Sequence, residues 1–480
     1  MALATTSEVS KADTSALERH IQAGGDKAEQ GDCRGSLKHL DAALGDKDFP
    51  DLPEVGQGAV YLVAAVCALE VDKQDEAYRY ALGGTSRPAA SEALWRIRLG
   101  IELTEKRDAH AVETIEAIAS RRPGGLNAMP IRWFYQLDLR ARSNPALQRR
   151  LLRVLSAADY QPQDVATSTD DFKRGYAAIL ADSGDTARAL AMARSIESPA
   201  TLLLVSVDPR LRAALPAEFD GQAEVERSLT KARETAANHP ESISAVVQVA
   251  RYQRMLGRPE DSLATLVAAP LDGPQGAAFT DEHRNWWWDA LARTYEMLGR
   301  YDEAVEAFHA GMAGQEYGRS NVSQALNLSY TQLRFGRPAE ALSTLSALEK
   351  GKYRASPYGK MVMHMAQGCS RMGVGQTATA KADLDYAAAH EGDHQEALMN
   401  LQLCAGDLEG AAGTAIRRLD DPERRSAALL QLSEFDPPPA TLPPTPAELR
   451  LPELKARPDV QAAIARAGGV RRYRLQASEF

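Results

Sequence analysis

Aromatic residues are scarce in this 480-residue sequence, with Phe, Trp and Tyr together at 6%. Stacked β-sheets draw on aromatic and β-branched residues, whereas a chain dense in Ala and Leu suits close helix packing. Long apolar runs are missing too: the longest, residues 59–69, falls far short of the ~20 residues that span a bilayer. There is no cationic excess, because 56 Lys and Arg stand against 65 Asp and Glu, a formal net charge of −9. That balance excludes a chain built throughout to wrap nucleic acid. The cysteines Cys33, Cys67, Cys369 and Cys404 are scattered, with no C-x-x-C pair and no even-spaced framework. Neither a structural zinc site nor a disulfide-stapled secreted domain is indicated. Residues 1–8 carry neither the basic nor the apolar stretch of a secretory leader. This points to the cytoplasm, or to the periplasm or exterior if a leader has been removed. No Walker A loop, no G-x-G-x-x-G after a strand and no G-x-S-x-G occurs, so nucleotide, dinucleotide and serine-hydrolase chemistry lack support.

What the chain does contain is a period. Its clearest unit runs Trp288, Leu291, Ala292, Tyr295, then Gly299 to Ala304, then Phe308 and Gly311. Ala292 and Ala304 are small where two helices would cross closely, and Trp288, Leu291, Tyr295 and Phe308 fill the space around that crossing. Gly299 ends the first helix in the left-handed conformation that carries no Cβ penalty. With glycine before the second helix as the marker, the unit recurs at Gly257, Gly336, Gly373 and Gly406. The first interval is lengthened in the Pro- and Gly-containing stretch 270–276. Pro259 and Pro338 fall at helix starts, where a missing N–H costs nothing. The pattern resembles the tetratricopeptide repeat, a 34-residue pair of antiparallel helices, and the resemblance implies an all-α solenoid covering most of residues 15–435.

Weaker copies precede these at Gly31 to Leu44, Asp72 to Ala77, Trp95 to Ile115 and Gly184 to Ala189, and one more helix pair is expected between residues 128 and 158. Pro209, Leu211, Ala213, Ala214 and Leu215 align with Pro458, Val460, Ala462, Ala463 and Ile464. This similarity suggests two blocks, each closed by a short capping helix. The expected organisation is a flexible N-terminus at 1–14, a degenerate block at 15–220, a block of clearer repeats at 221–435, a Pro-rich connector at 436–450, and a capping helix and tail at 451–480. The connector is read as extended polyproline-type chain and residues 471–480 as frayed.

One string imitates catalysis. His390, Glu391 and His394 match H-E-x-x-H, in which two histidines one helical turn apart converge on zinc while the Glu activates water. Gly392 and Asp393 between them disfavour a stable helix, and the repeat register puts the string in a turn, with Asp393 as N-cap of the next helix. A zinc-dependent hydrolase is therefore the lesser alternative. Met361, Met363, His364, Met365, Cys369 and Met372 could suggest a soft-metal site, but methionines at helical spacing read as core filler. No metal or other cofactor is expected. Of Trp286, Trp287 and Trp288, the repeat register buries Trp288 and turns Trp286 toward the face that first helices present to ligands.

In the tetratricopeptide family that face is lined by five positions of each first helix. The resemblance carries these onto Ser244, Val247, Arg251, Arg254 and Met255; Trp286, Asp289, Arg293, Glu296 and Met297; Ser323, Leu326, Tyr330, Leu333 and Arg334; and Lys360, Met363, Gln367, Ser370 and Arg371. Six of the twenty are cationic and two anionic, opposite to the acidic chain as a whole. The expectation is a non-catalytic scaffold or adaptor that binds an acidic or C-terminal segment of another protein. Arg251, Arg254, Arg293, Arg334 and Arg371 would take its carboxylates, and Trp286 and Tyr330 would anchor its apolar side chains. A structural subunit of a larger protein assembly is the alternative. Nucleic acid and membrane insertion are not expected.

Overall fold

A computed structural model describes residues 15–477 apart from 270, 272–279, 317–319 and 352–354. The chain forms two compact units, residues 1–163 and 164–480. The first holds four helix pairs: α1 (Ala16–Glu29) with α2 (Cys33–Leu44), α3 (Glu54–Glu70) with α4 (Gln74–Thr85), α5 (Glu92–Thr104) with α6 (Asp108–Arg121), and α7 (Ile131–Ala141) with α8 (Pro145–Leu155). The second opens with α9 (Asp170–Asp182), α10 (Thr186–Ala193), α11 (Pro199–Val207) and α12 (Gly221–Asn238). Five pairs follow: α13 (Ile243–Met255) and α14 (Pro259–Val267), α15 (Asp281–Met297) and α16 (Tyr301–Met312), α17 (Val322–Arg334) and α18 (Pro338–Lys350), α19 (Pro357–Gly373) and α20 (Thr377–Ala389), α21 (Gln395–Ala405) and α22 (Leu408–Asp420). The unit ends with α23 (Arg425–Leu432), β1 (Glu434–Asp436), α24 (Pro446–Ala456), α25 (Pro458–Ala467) and β2 (Arg472–Gln476).

The pairs form for the reasons legible in sequence. Ala292 and Ala304 have no exposed surface, and Phe308 is 1% exposed beside them, so the crossing of α15 and α16 is closed by small residues and filled at its edge by a large one. Gly299 sits at φ +72° after α15. In the first unit Asp72 and Lys106 take the same left-handed conformation between paired helices at φ 60° and 56°, which explains why those repeats lack the glycine marker. Before α20 the left-handed residue is Gly375 and not Gly373, which closes helix α19. The expected pair between residues 128 and 158 is α7 with α8. The expected insertion at 270–276, Leu271 apart, and the segment 1–14 lie outside the described residues.

The second unit departs from a stack in which repeats touch only their neighbours. Helix α11 packs on α23, and β2 packs on α12 and α13, so the last elements of the chain return to the first elements of the unit. Leu203, Val207, Val225 and Met255 share one core with Leu454, Val460, Ile464, Tyr473 and Leu475. The hydroxyls of Ser206 and Tyr473 lie 2.6 Å apart, Ser426 donates to buried Asp208 at 2.9 Å, and Arg210 donates to the Pro422 carbonyl at 3.0 Å. Burial of this order gives about 1.5–3 kcal/mol for each large apolar side chain, so the return is integral to the fold.

Three expectations change as a result. The break expected near Gly221 falls inside the second unit, because α11 and α12 are held by the C-terminal elements. The two aligned segments do not cap separate blocks: residues 212–214 form one 3₁₀ turn, residues 458–464 lie in α25, and the two regions meet where Arg212 donates to the Gly468 carbonyl at 3.1 Å. Residues 472–476 are not frayed but form β2, parallel to β1, with Tyr473 3% and Leu475 1% exposed.

The cysteine reading is also corrected. Cys33 is bonded to Cys67 and Cys369 to Cys404, with Cα atoms 4.8 and 5.3 Å apart. The separations of 34 and 35 residues are about one repeat. Residues distant in sequence are thus brought onto touching helices, α2 with α3 and α19 with α21. The methionine cluster is core: Met361, Met365 and Cys369 pack in one apolar cluster and Met363 in the next.

Candidate functional site

The face expected to bind a partner is built by the first helices α13, α15, α17 and α19. Each start is fixed by a side chain that accepts an otherwise unpaired backbone N–H: Ser242 for α13, Thr280 for α15, Asn321 for α17 and Ser356 for α19. The caps fix where each helix begins, and the buried stripe of each helix decides which side chains reach the face.

Most of the expected arginines are engaged within the protein. Arg254 is 3% exposed, and its Nη1 donates to the Ala290 carbonyl at 3.2 Å and to Thr294 Oγ1 at 3.3 Å. It ties α13 to α15 and presents nothing outward, which corrects its assignment to the binding face. Arg371 pairs with the buried carboxylate of Asp383, which also bonds His364 Nδ1 at 2.9 Å. Arg293 Nε donates to Asp289 Oδ2 at 2.8 Å, and Asp289 Oδ1 accepts from Asn327 Nδ2 at 2.7 Å, linking α15 to α17. Glu296 beside this network is 9% exposed and bonds Thr331. Burial pushes its pKa above the usual carboxylate range despite Arg293 and that hydrogen bond. Arg251 on α13 is half-buried.

Arg334 has an occupant. Its Nη2 donates to Glu448 Oε1 at 2.7 Å and its Nη1 to the Pro443 carbonyl at 2.9 Å, with 8% of its side chain exposed. The segment that supplies these groups is the expected connector. It leaves β1, places Thr441 Oγ1 on the Met297 carbonyl at 2.6 Å, meets Arg334, and enters α24, whose Arg450 donates to the Leu403 carbonyl at 3.3 Å. It therefore crosses the C-terminal ends of α15, α17 and α21, where backbone carbonyls lack helical partners. Leu442 at 4%, Thr445 at 2% and Ala447 at 7% exposure fix it there. Tyr330 is half-buried, with the Arg334 guanidinium 5.8 Å from its ring centre. Burial and then the Glu448 charge raise its phenol pKa. Of the seven residues expected at the site, Trp286 is the one that stands exposed, at 42%. Its neighbour Trp287, not Trp288, is the most buried of the three tryptophans at 6%, and Trp288 is half-buried.

The connector is thus a strap laid over the helix ends, and its own Glu448 fills the place beside Arg334 where the repeat register by itself would put an acidic segment of another protein. Its signature was present, since Thr445 and Glu448 form a reciprocal capping box at the start of α24, with Thr445 N donating to Glu448 Oε2 at 2.7 Å.

The H-E-x-x-H string is a connection. Residues Glu391–Asp393 form one 3₁₀ turn between α20 and α21, and the N-cap is His394, one residue later than expected. The His390 ring stacks on Tyr386, the His394 ring stacks on Tyr358, and Glu391 receives both Arg417 Nε at 2.8 Å and Arg417 Nη2 at 3.0 Å. The two imidazoles are packed against different tyrosines and the carboxylate is spent on an arginine, so the string is not arranged for hydrolysis. Among the described residues no group of three or more His, Cys, Asp or Glu is placed to hold a metal ion. No helix among them is long and apolar enough to cross a membrane.

No protein-family model matches the sequence, and no curated protein matches it. Similar solved structures include the Cut9–Hcn1 hetero-tetramer of the APC/C, at 14% identity and TM-score 0.29, covering 94% of this chain and 90% of that one. Another is a tetratricopeptide repeat protein from Parabacteroides merdae, at 10% identity and TM-score 0.34, covering 73% of this chain and 98% of that one. At these scores neither likeness bears on function; the repeat pattern is carried by the helix pairs described above.

Proposed function

We propose that this tetratricopeptide-like helical-repeat protein is a non-catalytic scaffold that binds a segment of another protein on the first-helix face of its second unit. The observation that supports the reading is Trp286, a large apolar side chain 42% exposed on a face whose neighbouring positions are polar and held in place. An exposed tryptophan beside a preorganised polar network is the composition of an interface anchor, since it offers much apolar area at small entropic cost. Arg293, ordered by Asp289 two turns further along the same helix, and Arg251 on the first helix packed beside it favour an acidic segment. Arg334, Tyr330 and Arg371 are no longer part of that surface; they hold the strap and α20.

The two disulfides favour an oxidising compartment over the cytoplasm, because such bonds persist where thiols are not kept reduced. Photo-crosslinking in the native host tests the binding face. A crosslinking residue at position 286 should capture a discrete partner, and Arg293→Glu should weaken the capture. The same residue at Glu306 on α16 should give no adduct. Equal adducts at both positions, or none at 286, would refute the assignment.

A further inference from the structure

The position that Trp288 holds in the pair α15 and α16 is taken in the first pair by a histidine, and a second histidine faces it. In the register fixed by left-handed Gly31, His20 stands where Trp288 stands, and Gly24 and Ser36 stand where Ala292 and Ala304 stand. His20 is therefore at a packing position and not on the face that first helices present to ligands. Small residues let α2 lie close on α1. A Cβ at Gly24 would fall 2.5 Å from Leu40 Cδ2, and Ser36 Oγ donates to the Gly24 carbonyl at 2.7 Å. One turn before Gly24, that close approach brings His20 of α1 against His39 of α2, with Nδ1 atoms 3.2 Å apart and both rings half-buried. The reciprocal capping box of Ser15 and Glu18 fixes the start of α1 just ahead of His20. Two nitrogens on two helices are thus held at a set distance.

That distance has two chemical uses. With one proton between them, one ring donates N–H and the other accepts. With both rings protonated on Nε2 instead, two Nδ1 lone pairs are left on the gap. Two Zn–N bonds of about 2.0–2.1 Å at the tetrahedral angle hold their nitrogens about 3.3–3.4 Å apart, whereas the right angle of a square-planar site holds them about 2.8–3.0 Å apart. The observed gap is nearer the first. We propose that His20 and His39 bind a zinc-type divalent ion between α1 and α2 through their Nδ1 atoms, with water in its two remaining positions. No further His, Cys, Asp or Glu among the described residues completes the set, so the site is open and exchangeable rather than a closed structural one. Arg19 and Lys38 are exposed and lie one residue from each histidine, about 100° round the helix, so each leaves its helix by another side. Lys27 is paired with Asp32 at 2.8 Å. No sequence string marks the pair, because the two histidines are nineteen residues apart and meet only through the crossing. The inference is independent of the scaffold reading, which concerns the second unit.

The test uses the full-length oxidised protein, stripped with a chelator, in which no free thiol competes for the ion. Equilibrium dialysis against zinc should show one more equivalent bound to the wild type than to His20→Gln with His39→Gln. Each single change should weaken that equivalent at least about tenfold, because chelation is lost. Acidification from about pH 7.5 to about pH 5 should release it, since proton and metal compete for the same nitrogens. His390→Gln with His394→Gln should leave it in place. Zinc should raise the urea midpoint of the wild type and not that of the His20 and His39 double variant. Carbethoxylation mapped by mass spectrometry needs no substitution: zinc should protect His20 and His39 but not His309, which is exposed on α16. Equal zinc uptake by the wild type and the His20 and His39 double variant, loss of the ion on changing His390 and His394, or carbethoxylation of His20 and His39 at the same rate with and without zinc would each overturn the inference.

Discussion

The strap can be tested at the pair that pins it. Arg334 is almost enclosed, with 8% of its side chain exposed, while its partner Glu448 is 41% exposed. Burial by itself would lower the arginine's pKa, but the charge of Glu448 and the neighbouring Tyr330 raise it above its ordinary value. A hydrogen bond to a charged group contributes about 1.5–3 kcal/mol, whereas an ion pair open to water contributes about 0.2–1 kcal/mol. With one partner enclosed and the other wet, the coupling should fall between, at about 1–2 kcal/mol.

The cycle comprises the wild type, Arg334→Met, which keeps the apolar stem, Glu448→Gln, which keeps an acceptor for the Thr445 N–H, and the double variant. Urea unfolding of each gives the coupling, and repetition at ~1 M salt, where the screening length is about 3 Å, should leave most of it because the guanidinium is shielded from ions. Hydrogen exchange at residues 440–456 supplies the local readout: both single variants should speed exchange there and leave α3 and α5 unchanged. Additivity within about 0.3 kcal/mol would mean that the pair does not hold the strap, and that its apolar contacts alone do.

Other outcomes follow from single sites. Ala304→Leu inserts a bulky side chain where α15 and α16 cross with no free surface, and should destabilise by about 1–3 kcal/mol; an unchanged unfolding transition would contradict the crossing. Burial, aided by Arg418, lowers the His394 pKa from 6.5 to about 4. Its unfolded form therefore binds the proton first, so its contribution is fully present above pH ~6.5 and is lost as pH falls toward ~4. His394→Gln should flatten the acid side of the stability profile over that interval, and identical profiles would refute the burial argument. Cys369→Ala with Cys404→Ala opens a loop of 35 residues and should lower stability by about 3–4 kcal/mol, read by urea unfolding, and thiol titration of the denatured wild type should find no free thiol.

The repeat was legible in the sequence because its physical requirements are local. A small residue at a helix crossing, a large one beside it and a left-handed glycine after a helix recur at nearly constant spacing, as Ala292, Phe308 and Gly299 show, and each acts within one helix pair. Where the same backbone conformation was carried by Asp72 and Lys106, the marker vanished although the geometry did not. The H-E-x-x-H string was likewise legible as a turn from Gly392 and its place in the register.

What the tertiary structure decided depends on contacts between distant segments. Cys33 with Cys67 and Cys369 with Cys404 become neighbours because one repeat separates them, a relation visible only when the stacking is known. Arg254 and Arg334 share the register of the face expected to stand open to a partner, yet one is absorbed by α15 and the other by Glu448, more than a hundred residues downstream. Periodicity reports which face of a helix a residue occupies; only the path of the rest of the chain decides whether that face stays open to solvent.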